Sequence, residues 1–282
     1  SAASDVYKRQ GKTIRQYIQD TADENGITAH IKHGHAVTHA SWSTADACWT
    51  VTAYDKQAAS PVVLKARFLY FCCGYYSYQS GHQPDFPHQE SFKGRWVHPQ
   101  FWPADLKYDN QKVVVIGSGA TAVTLVPEMA KTAAHVTMLQ RSPTYVIARP
   151  GEDKFSLRLQ KYLPMKWAYQ ITRTKNVLMG MLTYQLARRQ PEFVKRLLVK
   201  MAAQQLRSAQ TAQHFSPNYK PWDERLCVVP DGDLFRQIRH GKASVVTDTI
   251  QRIVPNGIQL SSGQTLEADI IVSATGLKLN ML

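Results

Sequence analysis

The residues Gly117-Ser118-Gly119-Ala120-Thr121-Ala122 have the types and spacing to hold a pyrophosphate. They close a β-branched run, Lys112 to Ile116, of the kind found in a parallel sheet covered on both faces, and they open a helical pattern from Ala120 to Lys131. In such a strand, turn and helix Gly117 permits the tight turn, Gly119 lets the backbone approach the phosphates, and Ala122 lets the helix pack close to the strand. The anion would rest among unpaired N–H groups at the helix N-terminus. An ordinary tight turn is the competing reading. A second strand, His135 to Gln140, follows, and about 20 residues beyond the first glycine an NAD-preferring site carries Asp or Glu. Here that place holds Gln140, Arg141 and Ser142. A guanidinium forks onto a 2′-phosphate that a carboxylate would repel, so Arg141 argues for NADPH; a solvated arginine at a strand end is the alternative. Pro127 removes one helix hydrogen bond and predicts a kink.

The elements around this site follow from pattern. Ser1 to Gln10 reads as a foreign, read-through leader and takes no part in the fold expectation. Thr13 to Asn25 carries Ile14, Tyr17 and Ile18 at helical spacing and stops at Gly26. Ile31 to Ser41, Trp49 to Tyr54 and Val62 to Phe71 read as strands, the last running into Cys72-Cys73-Gly74. Phe92 to Pro103 is an aromatic, proline-punctuated stretch, read as a stiff linker in which His98 alone titrates near neutrality. Beyond Pro150 helices take over, broken at Pro164 and restarted after Pro191. Pro217 to Cys227 reads as loop, Gly232 to His240 as a short helix, and Ser244 to Val246, Ile250 to Val254 and Ala268 to Gly276 as strand segments.

Composition narrows the class. The 282 residues, 44% hydrophobic with a mean hydropathy of −0.33, suffice for a real core and contain no apolar run long enough to span a bilayer. Cys48, Cys72, Cys73 and Cys227 lack metal-ligand spacing, so no metal is expected; the chain reads as reduced and cytoplasmic, and Cys72-Cys73 as buried packing. The net charge of +13 is concentrated between Gly151 and Gln210, where twelve Lys and Arg face three Asp and Glu. No nucleic-acid-binding signature accompanies it. The basic, amphipathic insertion has two readings: a solvated face over the nucleotide domain or a substrate channel, or a peripheral contact with anionic lipid.

Phe92, Gly94, His98, Trp102 and Pro103 match F-x-G-x-x-x-H-x-x-x-W-P, just upstream of the glycine loop, and the chain therefore resembles the Baeyer-Villiger monooxygenases. Its GYYSYQSGHQPDFP, VHPQFWPADL and GSGATAVTLVPEMA segments look closest to the ethionamide-activating subgroup. The resemblance implies an α/β flavoprotein with two dinucleotide-binding domains: a partial FAD domain with linker at 11–110, a Rossmann-like NADPH domain at 111–268 with a helical insertion at 150–212, and a return to the FAD domain at 269–282. It implies FAD and NADPH as cofactors, O2 as co-substrate, and a ketone converted to an ester or a thioether, thioamide or nitrogen centre oxygenated. Arg225 takes the place of the arginine that reaches the flavin, although Glu224 precedes it where the family often has Lys; pairing of Arg225 with Asp223 or Asp231 is the alternative. Thr275 and Gly276 look like the turn that returns the chain to the flavin domain, and Cys72-Cys73-Gly74 like the outward crossover. No first G-x-G-x-x-G precedes residue 110, so these residues alone are expected to be inactive. A nucleotide-binding module without turnover and a disulfide-reductase-like flavoprotein are the rival functions; the second needs a cysteine pair spaced for exchange, which is missing.

Overall fold

The computed structural model describes residues 11–208 and 213–280, so the Ser1 to Gln10 leader lies outside the described residues. Two compact units divide between Tyr75 and Tyr76.

The first unit holds helix α1 (Gly11–Glu24) and an antiparallel sheet of β1 (His35–Ser43), β2 (Cys48–Asp55) and β3 (Ser60–Ala66). Gly26 ends the helix with φ +66, a left-handed cap that a residue without Cβ adopts at no steric cost. The first strand begins four residues later than the sequence suggests, because a 3₁₀ turn at Thr28–His30 and a left-handed Gly34 intervene. Val51 and Ala53 are the buried side chains of the central strand, and Trp49 meets Trp42 at 5.6 Å and the edge of Phe71 at 6.2 Å. One expectation is corrected. Cys72 and Cys73 are exposed rather than buried, since β3 stops at Ala66 and leaves them beyond the sheet.

The second unit is built on five parallel strands. They are β5 (Arg95–Val97), β6 (Lys112–Ile116), β7 (His135–Gln140), β10 (Ala243–Thr247) and β14 (Ile270–Ser273), in the spatial order β10-β7-β6-β14-β5. Successive side chains of a strand point to opposite faces, and both faces here are dry. Val113 and Val115 enter a cluster with Val123 and Val126 of α2 (Ala120–Met129) and with Leu234 and Phe235 of a helix at Asp233–Arg239. Val114 and Ile116 enter a second cluster with Ile253, Ile258, Leu260 and Leu266. Those four come from an antiparallel meander, β11 (Ile250–Val254), β12 (Gly257–Leu260) and β13 (Thr265–Glu267), of which the sequence pattern reveals only the first strand.

Three more helices, α3 (Lys154–Tyr162), α4 (Met165–Arg189) and α5 (Pro191–Leu206), connect the parallel pair β8 (Tyr145–Arg149) and β9 (Leu226–Pro230). Prolines punctuate them as expected: Pro164 precedes α4, and Pro191 opens α5 where its missing N–H costs nothing. Asp153 caps α3 by accepting from the N–H groups of Phe155 and Ser156, and these bonds with the Lys175 ammonium hold its carboxyl below the usual range. The helix Asp233–Arg239 is numbered α6. A last antiparallel pair joins β4 (Tyr76–Gly81) to β15 (Leu277–Leu279). Pro127 sits two residues from the end of α2, where the lost hydrogen bond falls in the last turn.

The aromatic stretch expected as a linker contains β5, one of the two edge strands of the parallel sheet. Arg95 donates its N–H to the carbonyl of Asp269, and Lys112 donates its N–H to the Asp269 carboxylate. A Cβ on Gly94 would lie 2.3 Å from the Asp269 carbonyl oxygen and 2.5 Å from the Phe92 ring. The phenyl ring can turn away; the sheet backbone cannot. Gly94→Ala is therefore expected to destabilise the second unit by about 1–3 kcal/mol, read as a lower urea midpoint at unchanged slope. An unchanged midpoint would show that the edge strand has room to shift.

Candidate functional site

The carboxyl ends of β6, β7, β10 and β14 open onto a cleft of about 890 Å³. The crevice outside the carboxyl ends of parallel strands is where open α/β sheets take ligands. Gly117 leaves β6 with φ +132, and a Cβ there would stand 2.4 Å from the carbonyl oxygen of Ala274 on the adjacent strand end. Glycine is required at this position by the protein's own backbone. Gly119 differs: a Cβ there would meet nothing within 4 Å, so its bare backbone faces open space. As N-cap of α2 it supplies no side-chain cap, which leaves the first-turn N–H groups of Ala120, Thr121 and Ala122 to whatever enters the cleft. Ala120 and Thr121 line the cleft, and Ala122 is fully buried against the sheet.

Ser118 has its hydroxyl 2.9 Å from that of Thr144, both side chains buried, so the loop is tied to the segment between β7 and β8. Its carbonyl also receives the thiol of Cys227 at 3.8 Å. Burial pushes that thiol's pKa up, which keeps it a neutral donor.

The second cluster of expected residues divides. Arg141 and Ser142 line the cleft, whereas Gln140 does not. Within β7 the period of two places Gln140 on the face of Val136 and Met138, and Arg141 with Leu139 on the other. The Gln140 side chain, 2% exposed, donates to the carbonyl of His214 at 2.7 Å and to Thr247 at 2.8 Å. His214 in turn bonds Thr247, and burial lowers its pKa. Gln140 thus turns its amide away from the cleft and under the strand ends, while Arg141 and Ser142 face it.

Arg225 lines the same cleft. Neither expected carboxylate partner holds it: Asp223 is paired with Arg188 of α4, and Asp231 accepts the N–H of Gly151. Thr275 and Gly276 complete the floor. The Thr275 hydroxyl donates to the carbonyl of His82 at 2.7 Å, and the N–H of His82 returns a bond to the carbonyl of Gly276 at 3.2 Å.

The five motif residues lie beside the cleft and do not line it. Phe92 meets Trp96 edge to face at 6.4 Å, Gly94 permits the strand crossing, and Trp102 meets Tyr108 at 6.5 Å. Pro103 accepts the N–H of Leu106. His98 accepts the N–H of Gln100 at its Nδ1, and its ring lies where a Cβ on Gly81 would be, 2.0 Å from the ring carbon. Its Nε2 is buried without a partner among the described residues. These contacts place the motif residues between β4 and β5 and the segment that follows.

Asp248, Thr249, Ile250, His82, Asp85 and Phe86 also line the cleft and escape the sequence reading. A signal existed for Asp248: it follows the end of β10 as Arg141 follows β7, and its N–H bonds the carbonyl of Gln140. Bonds from Ser262 and from the Thr249 N–H hold its carboxyl below the usual range, so it is ionised at neutral pH. The His82 to Pro87 loop carries no comparable signal. Among the described residues no cluster could hold a metal ion, and no helix is long and apolar enough to cross a membrane.

A parallel sheet with a glycine turn, an uncapped helix start and an arginine at the neighbouring strand end defines a dinucleotide-binding domain of the Rossmann type. The chain belongs to the flavin-binding monooxygenase-like (FMO-like) family, whose profile matches residues 7–281. The FAD-containing monooxygenase EthA of Mycobacterium tuberculosis (strain ATCC 25618 / H37Rv) is 48% identical over 273 residues, 96% of this chain and 55% of that protein. MymA of the same strain is 49% identical over 276 residues, 96% of this chain and 56% of that protein. The chain thus spans about half the length of the curated relatives it matches. OTEMO in complex with FAD and NADP shares the fold with a TM-score of 0.72 at 20% identity, over 95% of this chain and 56% of that one. Oxidized steroid monooxygenase bound to NADP gives 0.73 at 19% identity, over 94% and 56%. The fold is that of two-dinucleotide flavoprotein monooxygenases.

Proposed function

We propose that the protein serves an FAD- and NADPH-dependent monooxygenase that inserts one oxygen atom of O2 into a ketone, thioether or thioamide. One observation carries the reading: Gly119, Arg141 and Arg225 all open onto a single cleft. The residues fit the nicotinamide dinucleotide on their own chemistry, with open space over Gly119, free N–H groups at the start of α2 and a guanidinium at the end of β7. When bound, FAD supplies the redox chemistry, accepting a hydride from NADPH and activating O2.

In this reading Gly117 permits the turn, and the α2 N-terminus and the Gly119 backbone bind the NADPH pyrophosphate. Arg141 forks onto the 2′-phosphate and selects NADPH over NADH. Thr275 and Gly276 support the flavin side, and Arg225 presents a charge that cannot be lost to oxygen-derived anions. His98 and Trp102 keep their distance from the reacting atoms and hold the strands that shape the cleft. The rival without turnover predicts nucleotide binding and no oxygen uptake. Four free thiols support a reduced, cytoplasmic setting.

A full-length, FAD-loaded protein containing these residues is expected to consume O2 with NADPH in a substrate-dependent way when given a methyl ketone, with one oxygen atom from ¹⁸O2 in the product, whereas residues 1–282 alone are not. Arg141→Ala should weaken NADPH by about 10- to 100-fold while leaving NADH unchanged. Equal weakening of both nucleotides would remove Arg141 from the 2′-phosphate.

A peripheral contact with an anionic membrane belongs to the same proposal. Helices α3 to α5 expose Tyr162, Met165, Trp167, Leu178 and Leu182, with Trp167 64% exposed, on a segment carrying a large excess of Lys and Arg. Aromatic and aliphatic groups beside lysines and arginines suit a lipid interface of opposite charge. Sedimentation with vesicles containing anionic lipid, absent with neutral vesicles and reversed by salt, is the expected result. Self-association in place of sedimentation would assign this face to a second copy.

A further inference from the structure

The segment from Tyr219 to Arg225 carries Arg225 to the cleft through a turn that is held in an unusual way. Trp222 has φ +69, a left-handed conformation that is an outlier for a bulky side chain and persists only where the surroundings fix it. Three contacts do so. The N–H of Asp223 bonds the carbonyl of Lys220 at 3.1 Å, Asp223 pairs with Arg188 of α4, and the Tyr219 hydroxyl donates across the turn to the carbonyl of Arg225 at 2.7 Å. Only the last reaches Arg225 itself.

Tyr219 is anchored in its turn. The Tyr145 hydroxyl donates to the carbonyl of Tyr219 at 2.8 Å, and the two rings meet edge to face with centroids 5.3 Å apart. Tyr145 is buried in a cluster with Ile147, Ala187, Val194 and Leu198, and opposite it in the β8–β9 pairing stands Leu226, the residue after Arg225. Burial raises the pKa of the Tyr145 phenol to about 12 and that of Tyr219 above its ordinary value, so both remain neutral donors through the physiological range.

We propose that Tyr219 is a positioning residue for Arg225: its hydroxyl closes the turn on the Arg225 carbonyl and transmits the rigidity of the buried Tyr145 cluster to the guanidinium in the cleft. Tyr219 does not line the cleft, so it acts through Arg225 and not on a ligand. The inference deepens the proposed function and rests on the role given there to Arg225.

Tyr219→Phe removes the hydroxyl and keeps the ring. In hydrogen–deuterium exchange on the chain itself, the amides of Trp222 to Leu226 should exchange about fivefold faster, with Ile147 and Val229 unchanged. In the full-length, FAD-loaded protein the variant should give about a fivefold lower yield of oxygenated product per NADPH consumed, at unaltered affinity for NADPH. Arg225→Ala separates the two claims. Normal product yield in Arg225→Ala overturns the role of Arg225; a lost yield there, with exchange and yield both intact in Tyr219→Phe, overturns the positioning alone. Should Tyr219→Phe fail to fold, Tyr145→Phe frees the same turn at its other end and is read by the same two measurements.

Discussion

At the carboxyl edge of the parallel sheet, two turns pass each other with no room for a side chain between them. A Cβ on Gly117 would stand 2.4 Å from the carbonyl oxygen of Ala274, a distance that real side chains do not adopt. This closeness follows from the pairing of β6 with β14, which sets Ile116 opposite Ser273 and brings the following turns side by side. One turn becomes the glycine loop and the start of α2; the other becomes Thr275-Gly276 and the bonds to His82. The cleft exists because both turns bend away from the same contact, and neighbouring strand ends and the His82–Pro87 loop supply further walls. Arg141 comes from β7 and Asp248 from β10.

The dry sheet below makes that edge rigid. Val113 and Val115 fill one face and Val114 and Ile116 the other, so β6 cannot slip by one residue without exchanging its whole set of contacts between two clusters. The same alternation decides which residues of β7 can meet a ligand. It sends Gln140 down to His214 and Thr247, and Arg141 up to the cleft.

What could be read from the chain alone follows the range of the interactions concerned. The strand, glycine loop and helix around Gly117 are specified within about 20 residues, and the breaks at Pro164 and Pro191 are set by proline itself, so both were legible. Strands β8 and β9 were missed because Tyr145–Arg149 and Leu226–Pro230 pair with each other, across the whole helical insertion. Strand β5 was missed for a related reason: its three residues join the sheet through Asp269, far along the chain. The side of the sheet taken by Gln140 depends on register, which a motif position does not encode. Arg225 was found through family resemblance, while the tyrosines behind it left no pattern, since their bonds run from side chain to backbone across a turn.

The central claim is that NADPH lies on the Gly119 backbone and the α2 N-terminus, with Arg141 at its 2′-phosphate. A backbone and arginine side-chain NMR titration of the chain with NADP⁺ tests it directly. The account predicts saturable shifts confined to the amides of Gly119 to Ala122 and to the Arg141 guanidinium, with that guanidinium silent when NAD⁺ is used instead. Shifts that leave these groups untouched, or that do not distinguish the two nucleotides at Arg141, would contradict it.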